Sequence, residues 1–363
     1  MKISIIIGTR PNFIKVTQFK KHAAQFGHEV KIIHTGQHYD KNMSTVFFEQ
    51  FGLVPDRFFQ LKSKKQLQQV GEIMANLELE FTENRPDLVL VPGDVNSTFA
   101  GAYVANRMGL KIGHIESGLR SFDREMPEEI NRILTDEITD IYFITEKSGV
   151  ENLTKEGKDS KKIQFVGNTM IDTLVAFEEK IEACSVVQDY NLKQDDFFLV
   201  TIHRPSNVDN EEGLSKVNSI LKHISKSRKV IFPIHPRTKK MMLEYGLFKD
   251  LDSSENIIFS EPMDYFQFQK LIKSCKAIIT DSGGIQEEAT FRQKPCITLR
   301  NNTERPITTE IGSNVLCKLS IEEVSGHIDE IEAGNWKKGE VPKFWDGAAT
   351  QRIFEAINKV LID

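Results

Sequence analysis

The chain has 363 residues, 39% of them hydrophobic, and a formal charge of −5 at neutral pH. That length fits two domains of about 150 residues each, and an acidic balance without a basic patch argues against a nucleic-acid partner. No stretch approaches the ~18 apolar residues of a membrane span, and the short apolar start ending at Gly8-Thr9-Arg10-Pro11 is a first buried strand rather than a signal peptide. Cys184, Cys275, Cys296 and Cys317 share no CxxC-type spacing, as expected of a reducing compartment and a protein without a bound metal. The expectation is a cytoplasmic protein that needs neither membrane nor nucleic acid.

Along the chain, short apolar runs alternate with amphipathic stretches. Strands are predicted at Ile3–Ile7, Val30–His34, Leu88–Val91, Lys111–Ile115, Ile141–Ile144 and Ile163–Val166, with helices such as Asn96–Met108 and Glu128–Ile138 between them. After a polar, acidic segment the rhythm restarts with strands at Phe197–Ile202, Val230–Ile234, Ile257–Phe259, Ala277–Thr280 and Cys296–Leu299. Continuous rather than alternating apolar runs indicate parallel sheets covered on both faces. Two such sets predict an α/β protein with two Rossmann-like, doubly wound domains. The expected boundaries are 1–168 for the first domain, 169–345 for the second and 346–363 for a closing helix.

Ligands of doubly wound sheets bind beyond the carboxyl ends of the strands. Those ends deliver Arg10, with Lys15 a turn later; Gly93-Asp94; Glu116-Ser117-Gly118-Leu119-Arg120; His203-Arg204; and His235-Pro236-Arg237. The run Thr280-Asp281-Ser282-Gly283-Gly284 leads from a strand into a helix. Ser282, Gly283 and Gly284 sit where the first backbone N–H groups of that helix can hold a phosphate, and Glu287 and Glu288 follow within reach of a ribose hydroxyl. The same turn is also explained by Asp281 or Ser282 acting as a helix cap. The run Pro127-Glu128-Glu129-Ile130-Asn131-Arg132 has two readings as well: proline and acids are ordinary at a helix start, whereas a chemical role requires Glu128 to face the same place as Asp94 and Glu116.

These motifs together resemble the non-hydrolysing bacterial UDP-N-acetylglucosamine 2-epimerases. The resemblance rests on Gly8-Thr9-Arg10-Pro11, Gly93-Asp94, His114-Ile115-Glu116-Ser117-Gly118-Leu119-Arg120, Pro127 to Arg132, Gly167-Asn168-Thr169, Thr201-Ile202-His203-Arg204, Asp281 to Glu288 and Thr303-Glu304-Arg305-Pro306, in that order. It implies a glycosyltransferase-B-type fold with two domains facing a cleft, and a closing helix that returns to the first domain. The reaction it implies eliminates UDP from C1 of the sugar as the C2 proton leaves, then adds UDP back with the proton delivered to the opposite face. On the matching positions Asp94, Glu116 and Glu128 are the acid/base candidates, and His203 would assist departure of the diphosphate. Arg10, Lys15, Ser282, Gly283 and Gly284 would hold phosphate and Glu288 the ribose. Arg132, Arg204 and Arg305 are further expected substrate contacts. Phe268 is expected against the uracil, or else as a core residue of its helix. With no GxGxxG fingerprint or metal-ligand cluster in the sequence, no cofactor or metal is expected. The expected partner is a UDP-sugar, the expected assembly a homodimer, and the expected setting cell-envelope polysaccharide synthesis.

The chain departs from the family pattern at Asn12, where a glutamate is usual, and at Pro205-Ser206, where the pattern has Arg-Glu. Pro205 replaces an arginine that binds an activating second UDP-GlcNAc in some members, and Gln37 to Met43 matches the accompanying activator motif only in part. The stretch His34 to Met43 is instead similar to relatives that act on UDP-2,3-diacetamido-glucuronate. Alternatives therefore stand beside the main reading: epimerisation of that uronate, a hydrolysing epimerase releasing ManNAc, or a nucleotide-sugar-binding or glycosyl-transfer protein.

Overall fold

The computed structural model describes residues 1–37 and 48–361. Residues 38–47, which include all of the Gln37–Met43 stretch after its first residue, lie outside the described residues. The chain forms two compact units, Met1–Ala176 with Lys343–Asp363, and Phe177–Pro342.

The first unit is built on a seven-stranded sheet of β1 (Lys2–Ile7), β2 (Glu29–His34), β3 (Arg57–Phe58), β4 (Leu88–Pro92), β5 (Lys111–Ile115), β6 (Ile141–Ile144) and β7 (Ile163–Phe165). Its spatial order is β3-β2-β1-β4-β5-β6-β7, and every pairing is parallel. The inner strands are rich in apolar residues because they are buried: Ile6, Val89, Val91 and Ile112 pack with Ile73, Leu77 and Phe81 of the helix Gln66–Glu83 and with Ala102 and Ala105 of the helix Asn96–Arg107. The helix Ala349–Leu361 completes this unit. Phe354 lies edge-on to Phe19 and stacked on Phe26, His28 Nε2 is 2.7 Å from Asn358 Oδ1, and the buried carboxylate of Asp172 accepts the Ala349 and Thr350 N–H groups.

The second unit carries a six-stranded parallel sheet of β8 (Phe197–Thr201), β9 (Lys229–Pro233), β10 (Ile257–Ser260), β11 (Ala277–Thr280), β12 (Cys296–Leu299) and β13 (Asn314–Cys317), ordered β10-β9-β8-β11-β12-β13. One face buries Phe198, Val200, Ile279 and Ile297 with Leu214, Val217 and Leu221 of the helix Glu211–Ile224. The other buries Phe197, Leu199 and Ile278 with Leu271, Ile285 and Ala289. In each sheet the order reverses once, between β1 and β4 and between β8 and β11. Diverging connections leave a crevice at the carboxyl ends of such strand pairs, and ligands bind there.

Candidate active site

In the first unit, the residues after β1, β4 and β5 converge. Asn12, which stands where the family pattern has a glutamate, is buried. It ties the two switch-point strands together: its side-chain oxygen accepts the Gly8 N–H (3.3 Å) and the Thr9 hydroxyl (3.0 Å), and its amide donates to the Pro92 carbonyl (3.0 Å). Arg10 opens the short helix Arg10–Ile14 and is half-buried. Lys15, only 5% exposed, forms an ion pair with Glu116, which is 3% exposed. Glu116 has φ +71°, a left-handed conformation that costs a non-glycine residue about 1–3 kcal/mol and persists only where the surroundings enforce it. Here the N–H groups of Glu116 and Ser117 both donate to the Phe143 carbonyl on β6. The second carboxylate oxygen of Glu116 is buried and has no hydrogen-bond partner among the described residues.

Asp94 follows Gly93, whose φ is +69°. Its carboxylate lies 2.6 Å from Arg132, and its carbonyl accepts the Asn131 amide at 2.9 Å. Arg132 in turn reaches Glu129 at 2.6 Å. Glu129 also accepts the Ser121 N–H and hydroxyl and the Phe122 N–H. The helix Pro127–Glu137 therefore serves this place through Glu129, Asn131 and Arg132. Glu128, in the same first turn, is exposed. Asp94, Glu116, Lys15 and Arg132 are brought together around Gly93; a side chain added at Gly93 would meet Lys15, Asn12 and Glu116. Glu129 and Asn131 are contributors that pattern reading missed, although the i,i+3 spacing of Glu129 and Arg132 was a visible signal.

In the second unit, Asp281 is not the cap of the following helix. Its fully buried carboxylate accepts the backbone N–H groups of His203 and Arg204 and the Asn207 amide, at 2.8–3.1 Å. His203 Nδ1 lies 3.2 Å from the same carboxylate. Burial works against its ionisation, but His203 and these donors prevail and hold the Asp281 carboxyl below the usual range. Asp281 thus fixes the end of β8 against the end of β11, with His203 exposed. His235 stands beside it, its ring 5.8 Å from that of His203. Burial, His203 and Arg237 lower its pKa.

The helix Gly283–Phe291 begins directly after Asp281, and its N-cap Ser282 makes no side-chain capping bond. Ser282, Gly283 and Gly284 are half-buried. Behind them lies a buried charge network: Arg305 pairs with Glu287 at 2.7 Å and with Glu304, which also holds Arg300 at 2.9 Å. The Thr303-Glu304-Arg305-Pro306 motif thereby packs against the glycine turn, where a Cβ on Gly283 would meet Glu304 and Arg305. Glu288 is buried, and desolvation pushes its carboxyl up to about 7 against the opposing influence of Gln269 and Arg292, with Glu287 adding to the rise. Phe268 is half-buried against the cluster that includes Ile285 and Ala289. Arg204 is half-buried, its backbone tied to Asp281. The predicted residues fall into two groups, one at each switch point: Arg10, Lys15, Asp94, Glu116 and Arg132 in the first unit, and His203, Arg204, Ser282, Gly283, Gly284, Glu288 and Arg305 in the second.

Residues 20–358 match the family model of UDP-N-acetylglucosamine 2-epimerase. The UDP-N-acetylglucosamine 2-epimerase of Methanococcus maripaludis is 42% identical over 341 residues, 92% of each chain. The UDP-2,3-diacetamido-2,3-dideoxy-D-glucuronate 2-epimerase of Pseudomonas aeruginosa is 39% identical over 87% of this chain and 88% of its own. The crystal structure of the Methanocaldococcus jannaschii UDP-GlcNAc 2-epimerase in complex with UDP-GlcNAc and UDP superposes with a TM-score of 0.89 at 40% identity, covering 99% of this chain and all of that one. With two doubly wound α/β units, a family match from residue 20 to residue 358 and relatives of this identity over nearly its full length, the chain belongs to the UDP-N-acetylglucosamine 2-epimerase family.

Proposed function

We propose that the protein interconverts UDP-N-acetylglucosamine and UDP-N-acetylmannosamine by eliminating and re-adding UDP. The observation that carries this reading is the pair of carboxylates at the first switch point, Asp94 and Glu116, held by the buried cations Arg132 and Lys15 respectively. Epimerisation through elimination needs a base to take the C2 proton and an acid on the other face to return one. Two fixed carboxylates on adjacent strand ends meet that need without a redox cofactor, and positioned acid–base groups contribute about 10²–10⁴-fold each. Glu128 completes the set of acid/base candidates carried by the motifs.

In the first half-reaction the C2 proton passes to a carboxylate, the C2–H electrons form the C1–C2 double bond, and UDP departs with the C1–O electrons, leaving 2-acetamidoglucal. In the reverse step UDP re-forms the C1–O bond in its original configuration while a proton is delivered to C2 on the opposite face, so that C2 alone is inverted. The second unit supplies groups suited to the leaving diphosphate: the first-turn N–H groups of the helix at Gly283 and Gly284, with a partial positive charge from the helix dipole, and His203, oriented by Asp281. Arg10, Lys15 and Arg204 add cations, Arg132 and Arg305 set the carboxylates and the glycine turn, Glu288 takes the ribose and Phe268 the uracil. Activity as a homodimer in the cytoplasm, feeding cell-envelope polysaccharide synthesis, completes the proposal.

Proton NMR of UDP-GlcNAc with the enzyme in D2O tests it. The expected result is deuterium at C2, a signal of UDP-ManNAc, and no free sugar, without added NAD or metal. Free ManNAc would indicate hydrolysis. Turnover confined to the 2,3-diacetamido-uronate nucleotide would transfer the reading to that substrate.

A further inference from the structure

A group of ionisable residues lies beneath the first-unit site and has no part in the chemistry above. His114, on β5, is fully buried. Its Nδ1 is 2.7 Å from Asp136 and its Nε2 is 2.7 Å from the Gly93 carbonyl. A carbonyl oxygen only accepts, so Nε2 carries a proton. The proton between Nδ1 and Asp136 can sit on either atom, and the other contacts of Asp136 decide where. Its second oxygen faces two donors, the Gly118 N–H at 3.1 Å and Arg120 at 2.7 Å. Burial opposes ionisation of Asp136, but His114 and Arg120 more than offset it and hold its carboxyl below the usual range.

Charge balance agrees. Arg120 also binds Glu156 at 2.8 Å, so His114 and Arg120 against Asp136 and Glu156 sum to zero only with His114 charged. The other titratable neighbours bond elsewhere than to His114. Tyr142, beside His114 on β6, donates its hydroxyl to the Asp136 carbonyl at 3.0 Å. Toward the Gly93 turn, Glu116 is paired with Lys15, and Asp94 and the buried Glu129 share Arg132; Glu137 and Asp140, on the Tyr142 side, are paired with Lys158 and Lys111.

We propose that Asp136 holds His114 as a buried imidazolium, and that this ring positions Asp94 by fixing the Gly93 carbonyl. Gly93 is the residue whose left-handed backbone aims Asp94, so a small rotation of its peptide displaces the carboxylate from the sugar. The positioning role rests on the epimerase reading; the protonation state does not. A displacement of the order of 1 Å at a reacting group costs about 10²-fold in rate.

The test has two arms. With 15N-labelled histidine, the unaltered protein at neutral pH should show both ring nitrogens of His114 protonated. The Asp136→Asn variant should show one ring proton, because an amide can donate to Nδ1. In that variant Nε2–H still reaches Gly93, so kcat should stay within about fivefold of the unaltered enzyme. His114→Phe, which removes the donor, should lose about 10²-fold in kcat with KM little changed. Should the Phe variant not fold, His114→Ala read by the same kcat-against-KM split replaces it. A single ring proton in the unaltered protein overturns the proposal, as does full turnover by a folded His114 variant. The ring protons are counted without substrate, so absence of epimerisation by the unaltered protein would overturn the function proposed above and not the imidazolium.

Discussion

Glu288 offers a measurement that separates burial from catalysis. Its carboxyl belongs near 4.5 in the unfolded chain and lies at about 7 in the folded one. A group whose folded pKa is raised stabilises the fold fully below its unfolded pKa, and that contribution is lost as pH rises through the folded value. The interval from 4.5 to about 7, at 1.36 kcal/mol per pH unit, corresponds to about 3 kcal/mol lost by the second unit between mildly acidic and mildly alkaline solution. Glu288→Gln keeps the shape, removes the titration, and should abolish this loss. The variant should thus gain on the parent by about 3 kcal/mol on going from about pH 4.5 to about pH 8. Oppositely directed carboxylates such as Asp281 are common to both proteins and cancel in the comparison. The assay is urea unfolding followed by Trp336, which lies in the second unit, in a Trp345→Phe background that removes the tryptophan of the first. Parallel pH profiles for the two proteins would refute the reasoning, because they would mean that Glu288 titrates alike in both states.

Other expectations follow from the first unit. Lys15→Met leaves Glu116 charged, buried and unpaired and should cost about 3–5 kcal/mol in urea unfolding read by Trp345, whereas Lys15→Met with Glu116→Gln should recover most of that while remaining inactive; equal stabilities of the single and double variants would count against the pairing. Asp94→Asn should lower kcat by about 10²-fold or more with UDP affinity retained in calorimetry, and near-normal turnover would remove Asp94 from the acid/base pair. Pro205, exposed at the start of the helix Pro205–Val208, offers neither charge nor N–H to a second nucleotide, so initial rates against UDP-GlcNAc should be hyperbolic and UDP-ManNAc alone should be converted; a sigmoidal curve would contradict this.

The sheets were legible because their inner strands are continuous apolar runs such as Ile3–Ile7 and Leu88–Val91. The sheet edges were not. Arg57–Phe58 is too short to register as a run, and Asn314–Cys317 begins with a polar residue that is buried and bonded to Thr298. The chemistry at the strand ends was legible from residue type, but its wiring was not. Glu128 and Glu129 are neighbours in sequence about 100° apart on a helix, and only the N–H groups of Ser121 and Phe122 show which one turns inward. Asp281 reads locally as a cap, whereas its donors lie 74–78 residues earlier in the chain. His114 is hidden for the same reason: inside a buried strand it looks like core until Asp136 and Gly93 are placed on its two nitrogens.

The first unit is closed by residues that follow the whole of the second in the chain. During synthesis, Phe19, Phe26 and His28 emerge early, but Phe354 and Asn358, which cover them, are made only after residues 177–342 have been synthesised. At about 5–20 residues per second the gap is on the order of ten seconds or more. By the end of that interval the second unit is complete and can fold, while the first still carries an uncovered aromatic patch. A nascent chain stalled before residue 343 should therefore bind chaperones through its older half, and adding the closing helix as a separate peptide should release them.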